Sequence, residues 1–132
     1  MTRERAYAYA RRASYNSDCG HLLGAAAFYN GKLLALGWNS NKTHPMQAHY
    51  NSQERGFDGY HFKSTIHAEM MVINKIKYLD IDFSKVKVFV WRGKHEPRLS
   101  KPCAACEKAL RDLGIRHVYY TGTNSYIEET YI

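Results

Sequence analysis

The sequence predicts an α/β fold in which helices pack against a mixed sheet of about five strands. β-rich runs alternate with helix-like segments along the 132 residues, a pattern typical of this class. Only eleven residues follow Thr121, too few for a crossover helix and another parallel strand. The last strand, residues 126–131, should therefore return antiparallel. The length is enough to bury a core, and we expect residues 1–132 to form one domain.

The amino-terminal part predicts a helix followed by a β-hairpin. Residues 3–16 indicate a helix with a stripe of small side chains on one face: Ala6, Ala10 and Ala13. Two apolar runs, residues 22–29 and 32–38, flank Asn30-Gly31. An Asn-Gly pair between apolar runs favours a type I′ turn, because both residues tolerate positive φ.

Residues 40–66 show no sustained periodicity, and we expect a long ordered loop there. The loop holds three histidines: His44, His49 and His61. No two of them have the spacing of adjacent helical ligands. They could contact substrate, cap the loop or hold a second metal ion.

The remaining elements follow from local patterns in the second half. Apolar residues over a wide arc predict a helix over about residues 67–79. A second helix is expected over about residues 103–113, with Gly114 at its carboxyl-terminal cap. Residues 86–92 and 115–121 are rich in β-forming side chains and predict two strands.

Composition indicates a cytoplasmic protein with a basic site. The three cysteines are an odd number and two of them share one motif, which argues against a disulfide framework. No apolar run reaches the length of a membrane span. The formal net charge is +7, and six basic residues lie between Arg92 and Arg111 against two glutamates. Such a segment either attracts phosphate groups or is merely a solvated basic surface.

The segment Pro102-Cys103-Ala104-Ala105-Cys106 has the spacing of metal ligands. Residues three apart share one helix face, so both sulfurs can reach one ion. Pro102 suits the first turn of such a helix. The positive end of the helix dipole also lowers thiol pKa values.

His67 can supply a third ligand and leave the fourth position to water, which is typical of catalytic zinc. Glu69 is then not needed as a ligand, and it could carry protons to and from that water. Alternatives are a closed structural zinc site, with Glu69 only in a salt bridge, or Cys19 as a fourth ligand. A lone cysteine such as Cys19 is more often a small packing residue.

His67-Ala68-Glu69 followed by Pro102-Cys103-Ala104-Ala105-Cys106 resembles the signature of the cytidine deaminase superfamily. The resemblance extends over about residues 3–121 and implies a three-layer α/β/α fold with one catalytic Zn²⁺. It also implies that Glu69 moves protons while water replaces the amine of cytosine. In similar enzymes the backbone near Ala68 holds the base, and neighbouring subunits often complete the pocket, which suggests a homo-oligomer.

The resemblance also implies substrate contacts. The segment Gly37-Trp38-Asn39 is similar to one that leads to an asparagine on the sugar, so Asn39 is a candidate, unless it only ends the strand. Residues 41–45, which include His44, are similar to small deoxycytidylate deaminase-like proteins, some of them from phages. A 5′-phosphate could be held by one of three cations: Lys42, Arg92 or Lys101.

Three functions remain open from the sequence. The first is deamination of a free (deoxy)cytidine nucleoside or nucleotide such as dCMP in pyrimidine salvage. The second is deamination of cytosine or adenine in single-stranded DNA or RNA, where exposed aromatic rings would stack on bases. Candidate rings are Tyr60, Phe62, Trp91 and Tyr120. The third is a non-catalytic zinc-binding module that binds nucleic acid. The short antiparallel ending is similar to free-cytidine deaminases and some bacterial toxins, and departs from the longer endings of polynucleotide and better-known deoxycytidylate deaminases.

Overall fold

The structure of the protein, a computed structural model, describes residues 2–56, 64–94, 96–123 and 125–131. These residues form four α-helices and five strands. In chain order the elements are α1 (Arg3–Ser14), β1 (Leu23–Tyr29), β2 (Lys32–Trp38), α2 (Pro45–Glu54), α3 (Ala68–Ile76), β3 (Lys87–Arg92), α4 (Ala104–Leu113), β4 (His117–Gly122) and β5 (Ser125–Thr130). None of the helices in these ranges is long and apolar enough to cross a membrane.

The five strands form one mixed sheet in the order β2-β1-β3-β4-β5. β3 and β4 are parallel and connected through α4, whereas every other neighbouring pair is antiparallel. The mixed sheet, the amino-terminal hairpin and the antiparallel last strand are therefore confirmed. Asn30 and Gly31 both have positive φ, 51° and 76°, as a type I′ turn requires.

Helices cover both faces of the sheet, which confirms the three layers. α1 packs on one face through its small residues, of which Ala6, Ala10 and Ala13 are at most 1% exposed. That face is aromatic, and Phe89 stacks on Tyr119 with ring centroids 4.5 Å apart. α3 and α4 pack on the other face over aliphatic side chains. Alternation along each strand decides which layer a side chain enters.

The interpretation of residues 40–66 as a loop is wrong in part, since α2 occupies Pro45–Glu54. His44 begins the helix by accepting a hydrogen bond from the Met46 amide on Nδ1, at 3.2 Å, and Pro45 occupies the first turn. The buried face of α2 includes the polar side chains of Gln47 and Asn51. A helix that buries amides shows little apolar periodicity, so the pattern missed it.

Other boundaries differ slightly from the prediction. α3 ends at Ile76 rather than near residue 79. Pro102 lies before α4 rather than in its first turn, because Cys103 is extended, with ψ 167°, and is itself the N-cap. Gly114 ends α4 in the left-handed conformation as predicted, with φ 101°.

The connectivity brings the ends of several strands and helices to one edge of the sheet. β2 and β3 end at this edge, and β1 begins there, because β1 is antiparallel to both. The amino termini of α3 and α4 reach the same edge, where His67 and Cys103 meet. Gly37 near the end of β2 lets α3 approach closely, since a Cβ there would meet the Ala68 carbonyl oxygen.

Candidate active site

A cleft of about 520 Å³ lies at this edge of the sheet. Its floor contains His67, Ala68, Glu69 and Cys103. Its walls come from the turn before β1, the end of β2 and the segment after β3. The volume is within the range of small-molecule sites.

Three potential metal ligands converge at the floor of this cleft. His67 is the N-cap of α3 and Cys103 is the N-cap of α4, yet neither side chain caps its helix. Cys106, fully buried in the first turn of α4, completes the group. Nδ1 of His67 lies 3.5 Å from Sγ of Cys103 and 3.3 Å from Sγ of Cys106.

This group fits a zinc ion. Zinc–sulfur bonds of about 2.3 Å and zinc–nitrogen bonds of about 2.05 Å place sulfur and nitrogen about 3.6 Å apart in a tetrahedron. The two observed distances are close to that value, and all three ligand atoms lie within 4.8 Å of one another. Two thiolates and an imidazole are also a common zinc donor set.

Within the described ranges, no histidine, cysteine or acidic side chain joins this group as a fourth ligand. Cys19 lines the same cleft, but its Sγ lies 3.6 Å from Oδ1 of Asn41 instead. His44 and His49 belong to no metal-binding group there either, while His61 lies outside the described residues. Three protein ligands with one open position is the catalytic arrangement.

The two thiols have opposite pKa shifts. The pKa of Cys103 falls to about 3, chiefly because the Cys106 thiol donates a hydrogen bond to it, with a further contribution from His67. The same shared proton and then burial raise the pKa of Cys106. Burial lowers the pKa of His67, but its hydrogen bond to Cys103 and the nearby negative charges outweigh burial and raise it. These shifts favour the thiolate form at Cys103, which lies at the positive end of a helix.

Glu69 lies in the first turn of α3 with 3% exposure. Burial raises the pKa of its carboxyl group to about 7. Its Oε1 atom is buried and has no hydrogen-bond partner among the residues that the structure describes. Buried polar atoms in native proteins normally have a hydrogen-bond partner. A water or substrate at the open metal position would provide this partner by donating a proton to Oε1. A carboxyl group that titrates near neutral pH is suited to carry protons.

Two buried amides in α2 support the site, and the sequence prediction missed both. Oε1 of Gln47 accepts a hydrogen bond from the backbone N–H of His67 at 3.1 Å. Nε2 of Gln47 donates to Asn51 at 3.0 Å, and Asn51 donates to Ser64 at 3.1 Å. The spacing of Gln47 and Asn51 was visible as an i, i+4 pair, but nothing marked them as buried.

Three predicted substrate contacts line the cleft: Asn39, Ala68 and Lys101. The Asn39 side chain accepts from the Leu23 N–H at 3.0 Å and donates to the His21 carbonyl at 2.7 Å. An amide in this state still has one N–H and one lone pair to offer. Arg92 also lines the cleft, together with Arg55, which the sequence did not single out.

The other predicted contacts lie elsewhere. His44 caps α2, and Lys42 is exposed; neither lines the cleft. Trp91 is 5% exposed and lies in the core under α1, where its Nε1 donates to the Gly93 carbonyl at 2.7 Å. Tyr120 is 6% exposed and lies in the opposite core layer. Tyr60 and Phe62 are outside the described residues.

Comparisons with known proteins agree with this geometry. Residues 2–122 match the family model of the cytidine and deoxycytidylate deaminase zinc-binding region. The dCMP deaminase from cyanophage S-TIM5 in apo form is 26% identical, with a TM-score of 0.61 over 91% of this chain and 84% of that chain. Its complex with dCMP and dUMP gives 22% identity and a TM-score of 0.57, over 91% and 82% of the two chains.

A third solved structure shows the same fold. The cytidine deaminase from Burkholderia pseudomallei has a TM-score of 0.69 at 18% identity, over 98% of this chain and 93% of that chain. A comparison with curated proteins finds no match.

The family match and the metal geometry concern the same residues. The matched segment covers most of the chain and includes His67, Glu69, Cys103 and Cys106. The three potential ligands fit the zinc that gives the matched region its description. The chain therefore belongs to the cytidine and deoxycytidylate deaminase family, and it is a zinc-dependent deaminase.

Proposed function

We propose that the protein hydrolyses the amino group of cytosine in a free (deoxy)cytidine nucleotide such as dCMP, releasing ammonia and leaving uracil. The observation that carries the proposal is the buried Oε1 of Glu69, which has no hydrogen-bond partner in the described part of the chain and lies beside three potential zinc ligands in a cleft of nucleotide size. The cyanophage enzyme with a similar fold was solved with dCMP and dUMP, which supports a nucleotide as substrate.

The chemistry divides between the metal and the carboxyl group. A zinc ion bound by His67, Cys103 and Cys106 would lower the pKa of water in its open position. Glu69 accepts a proton from the attacking water as oxygen bonds to C4 of cytosine. It delivers that proton to N3, and then moves a second proton from the added hydroxyl group to the departing amine. Glu69 is unchanged at the end, and water has replaced ammonia.

The pKa of Glu69 favours both directions of transfer. A carboxyl group with a pKa of about 7 is a stronger base than an ordinary glutamate and can still release its proton near neutral pH. Its buried position also excludes bulk water from the transfer path. Ala68 lines the cleft between His67 and Glu69, which supports its backbone as a contact for the base.

The sugar and phosphate would lie towards the mouth of the cleft. Asn39 offers one N–H and one lone pair to a sugar hydroxyl. Arg55, Arg92 and Lys101 line the same cleft and give its mouth a positive charge. A 5′-phosphate is attracted to such a cluster, so a nucleotide should be preferred to a nucleoside.

The proposal is tested by incubating zinc-loaded protein with cytidine, deoxycytidine, CMP and dCMP, and by following the uracil products and ammonia. We expect dCMP or CMP to give the highest kcat/KM. A Lys101→Ala variant should raise KM for the nucleotide and change turnover of the nucleoside little. Absence of turnover on all four compounds would contradict the proposal.

A further inference from the structure

A second cleft, of about 720 Å³, opens directly beside the catalytic one. The two share the turn Cys19-Gly20-His21 and Arg92 as a common wall. The catalytic cleft alone has the volume of a ligand site. A mononucleotide bound in the catalytic cleft would leave the second cleft, which we call the basic groove, free for a group attached to that nucleotide.

The basic groove is positively charged. Arg92, Lys94 and Arg98 line it, and no acidic residue is among its described lining residues. Within the part of the chain that the structure describes, none of the three side chains forms an ion pair. Cations that no carboxylate neutralises are typical of surfaces that bind phosphate.

The positive charge continues beyond the basic groove onto α1. Nη2 of Arg11 donates to the Lys94 carbonyl at 3.3 Å, and the Arg11 guanidinium lies over the Trp91 ring, 5.4 Å from its centroid. The charged surface therefore extends from the catalytic cleft past Lys94 to the first helix. A single phosphate does not need a surface of this length.

The wall of the basic groove is held in place by buried hydrogen bonds. Ser100, 2% exposed, donates to the Val90 carbonyl at 2.9 Å and accepts from the Thr121 amide at 2.8 Å. The Arg98 amide donates to the Arg92 carbonyl at 2.7 Å. These contacts fix the backbone at Arg92, Arg98 and Ser100, so binding to Arg98 requires little ordering of the main chain at that position.

The groove also offers apolar surface next to its charges. Leu99 lines it and is 53% exposed. An exposed leucine between cations suits a nucleobase, whose faces are apolar while its linking phosphates are charged. The combination favours a nucleotide chain over a simple inorganic anion.

We infer that the basic groove binds the phosphates of nucleotides that flank the target cytosine in a short single strand. The inference rests on the proposed function and extends its substrate from a mononucleotide to an oligonucleotide. The target cytosine would occupy the catalytic cleft, and the strand would leave it past Arg92 towards Lys94 and Arg98.

The test compares a double variant, Lys94→Ala with Arg98→Ala, against wild-type protein. Lys94 and Arg98 line the basic groove but not the catalytic cleft. The control is Lys85→Ala with Lys87→Ala, which removes the same charge from the other end of β3, where both side chains are exposed. Binding of a fluorescent pentanucleotide dTdTdCdTdT to zinc-loaded protein is measured by anisotropy at several salt concentrations. Turnover of dCMP and of the unlabelled pentanucleotide is measured in parallel.

We expect the groove variant to bind the pentanucleotide about tenfold more weakly than wild type. The slope of log K against log salt concentration should also decrease in magnitude by about 0.7 for each phosphate contact that is lost. Its kcat/KM on the pentanucleotide should fall, while its kcat/KM on dCMP stays within about twofold, because a mononucleotide does not reach these side chains. The control should behave as wild type.

The inference is overturned if wild-type protein does not bind the pentanucleotide, or if the groove and control variants bind it equally. An equal fall in dCMP and pentanucleotide turnover would also overturn it, since the groove would then serve the mononucleotide. These outcomes are independent of the proposed function, which fails instead if wild-type protein turns over none of cytidine, deoxycytidine, CMP and dCMP.

Discussion

The four α-helices of the described residues begin in two different ways. α1 and α2 start with a side chain that caps the helix: Thr2 accepts from the Arg5 amide at 3.2 Å, and His44 accepts from the Met46 amide. α3 and α4 start with His67 and Cys103, whose side chains make no cap hydrogen bond. Both of these side chains turn towards each other and towards Cys106 instead.

In α3 and α4, the N-cap residue supplies a potential metal ligand instead of a side-chain hydrogen bond to the start of the helix. An absent side-chain cap costs about 1 kcal/mol per helix. The same position gives the ligands the positive end of the helix, which favours a thiolate at Cys103. A bound metal ion should therefore restore stability that these two helix starts lack, whereas α1 and α2 are complete without it.

The largest effect is expected from removing a ligand. Cys106→Ala should abolish stoichiometric zinc binding and all measurable deamination, because the two remaining ligands, His67 and Cys103, bind the ion too weakly. Metal analysis after dialysis and an ammonia-release assay check this. Cys19→Ala serves as the control and should keep its zinc. If the Cys106 variant retains one zinc ion per chain, the assigned ligand set is wrong.

A smaller effect is expected at Gln47, which supports a ligand without touching the metal position. Gln47→Leu removes the acceptor for the His67 N–H and leaves Asn51 without its donor. Zinc affinity should fall by about 10- to 100-fold, as for other residues that orient metal ligands. Gln53→Leu is the matched control, since it lies on the exposed side of the same helix.

Competition with a zinc chelator measures both affinities, and the melting temperature of each metal-free variant separates metal binding from folding. Gln47→Glu should retain more affinity than Gln47→Leu, because a carboxylate oxygen can still accept from the His67 N–H. Equal zinc affinity in Gln47→Leu and Gln53→Leu would contradict the supporting role of Gln47.

The smallest effect is expected at a helix that has no part in the metal site. Thr2→Ala should reduce the free energy of unfolding by about 1 kcal/mol, the usual loss on removing a cap. Its zinc content and turnover should be those of wild type, because Thr2 is at the start of α1 on the other face of the sheet. Urea unfolding and metal analysis test both halves of this expectation. A loss of zinc in this variant would remove the distinction between the two kinds of helix start.

The sequence predicted the parts of the molecule whose signals are local. The Asn30-Gly31 turn, the strands and the metal-ligand spacing of Cys103 and Cys106 depend on near neighbours in the chain, and the structure contains them. α2 was missed because Gln47 and Asn51 bury amides, so its buried face looks polar. The hydrogen-bond partners of these amides, His67 and Ser64, are distant in sequence, so no local pattern shows why the amides are buried.

Trp91 shows why the sequence could not decide which side chains of a strand face the cleft. It lies in β3 one position after Val90, and successive side chains of a strand point to opposite faces. Val90 enters the core under α3 and α4, whereas Trp91 enters the core under α1. Which of these faces carries the cleft depends on the connections of the whole sheet, and no local pattern contains that information.

The most direct measurement concerns Glu69, the group assigned to proton transfer. Glu69→Gln has nearly the same shape and removes only the ability to exchange a proton. Zinc content and turnover of dCMP are measured on the same sample. The variant should bind one zinc ion per chain and release no ammonia, because the ligands remain but the proton carrier is lost. Undiminished turnover in a zinc-loaded Glu69→Gln protein would contradict the assignment.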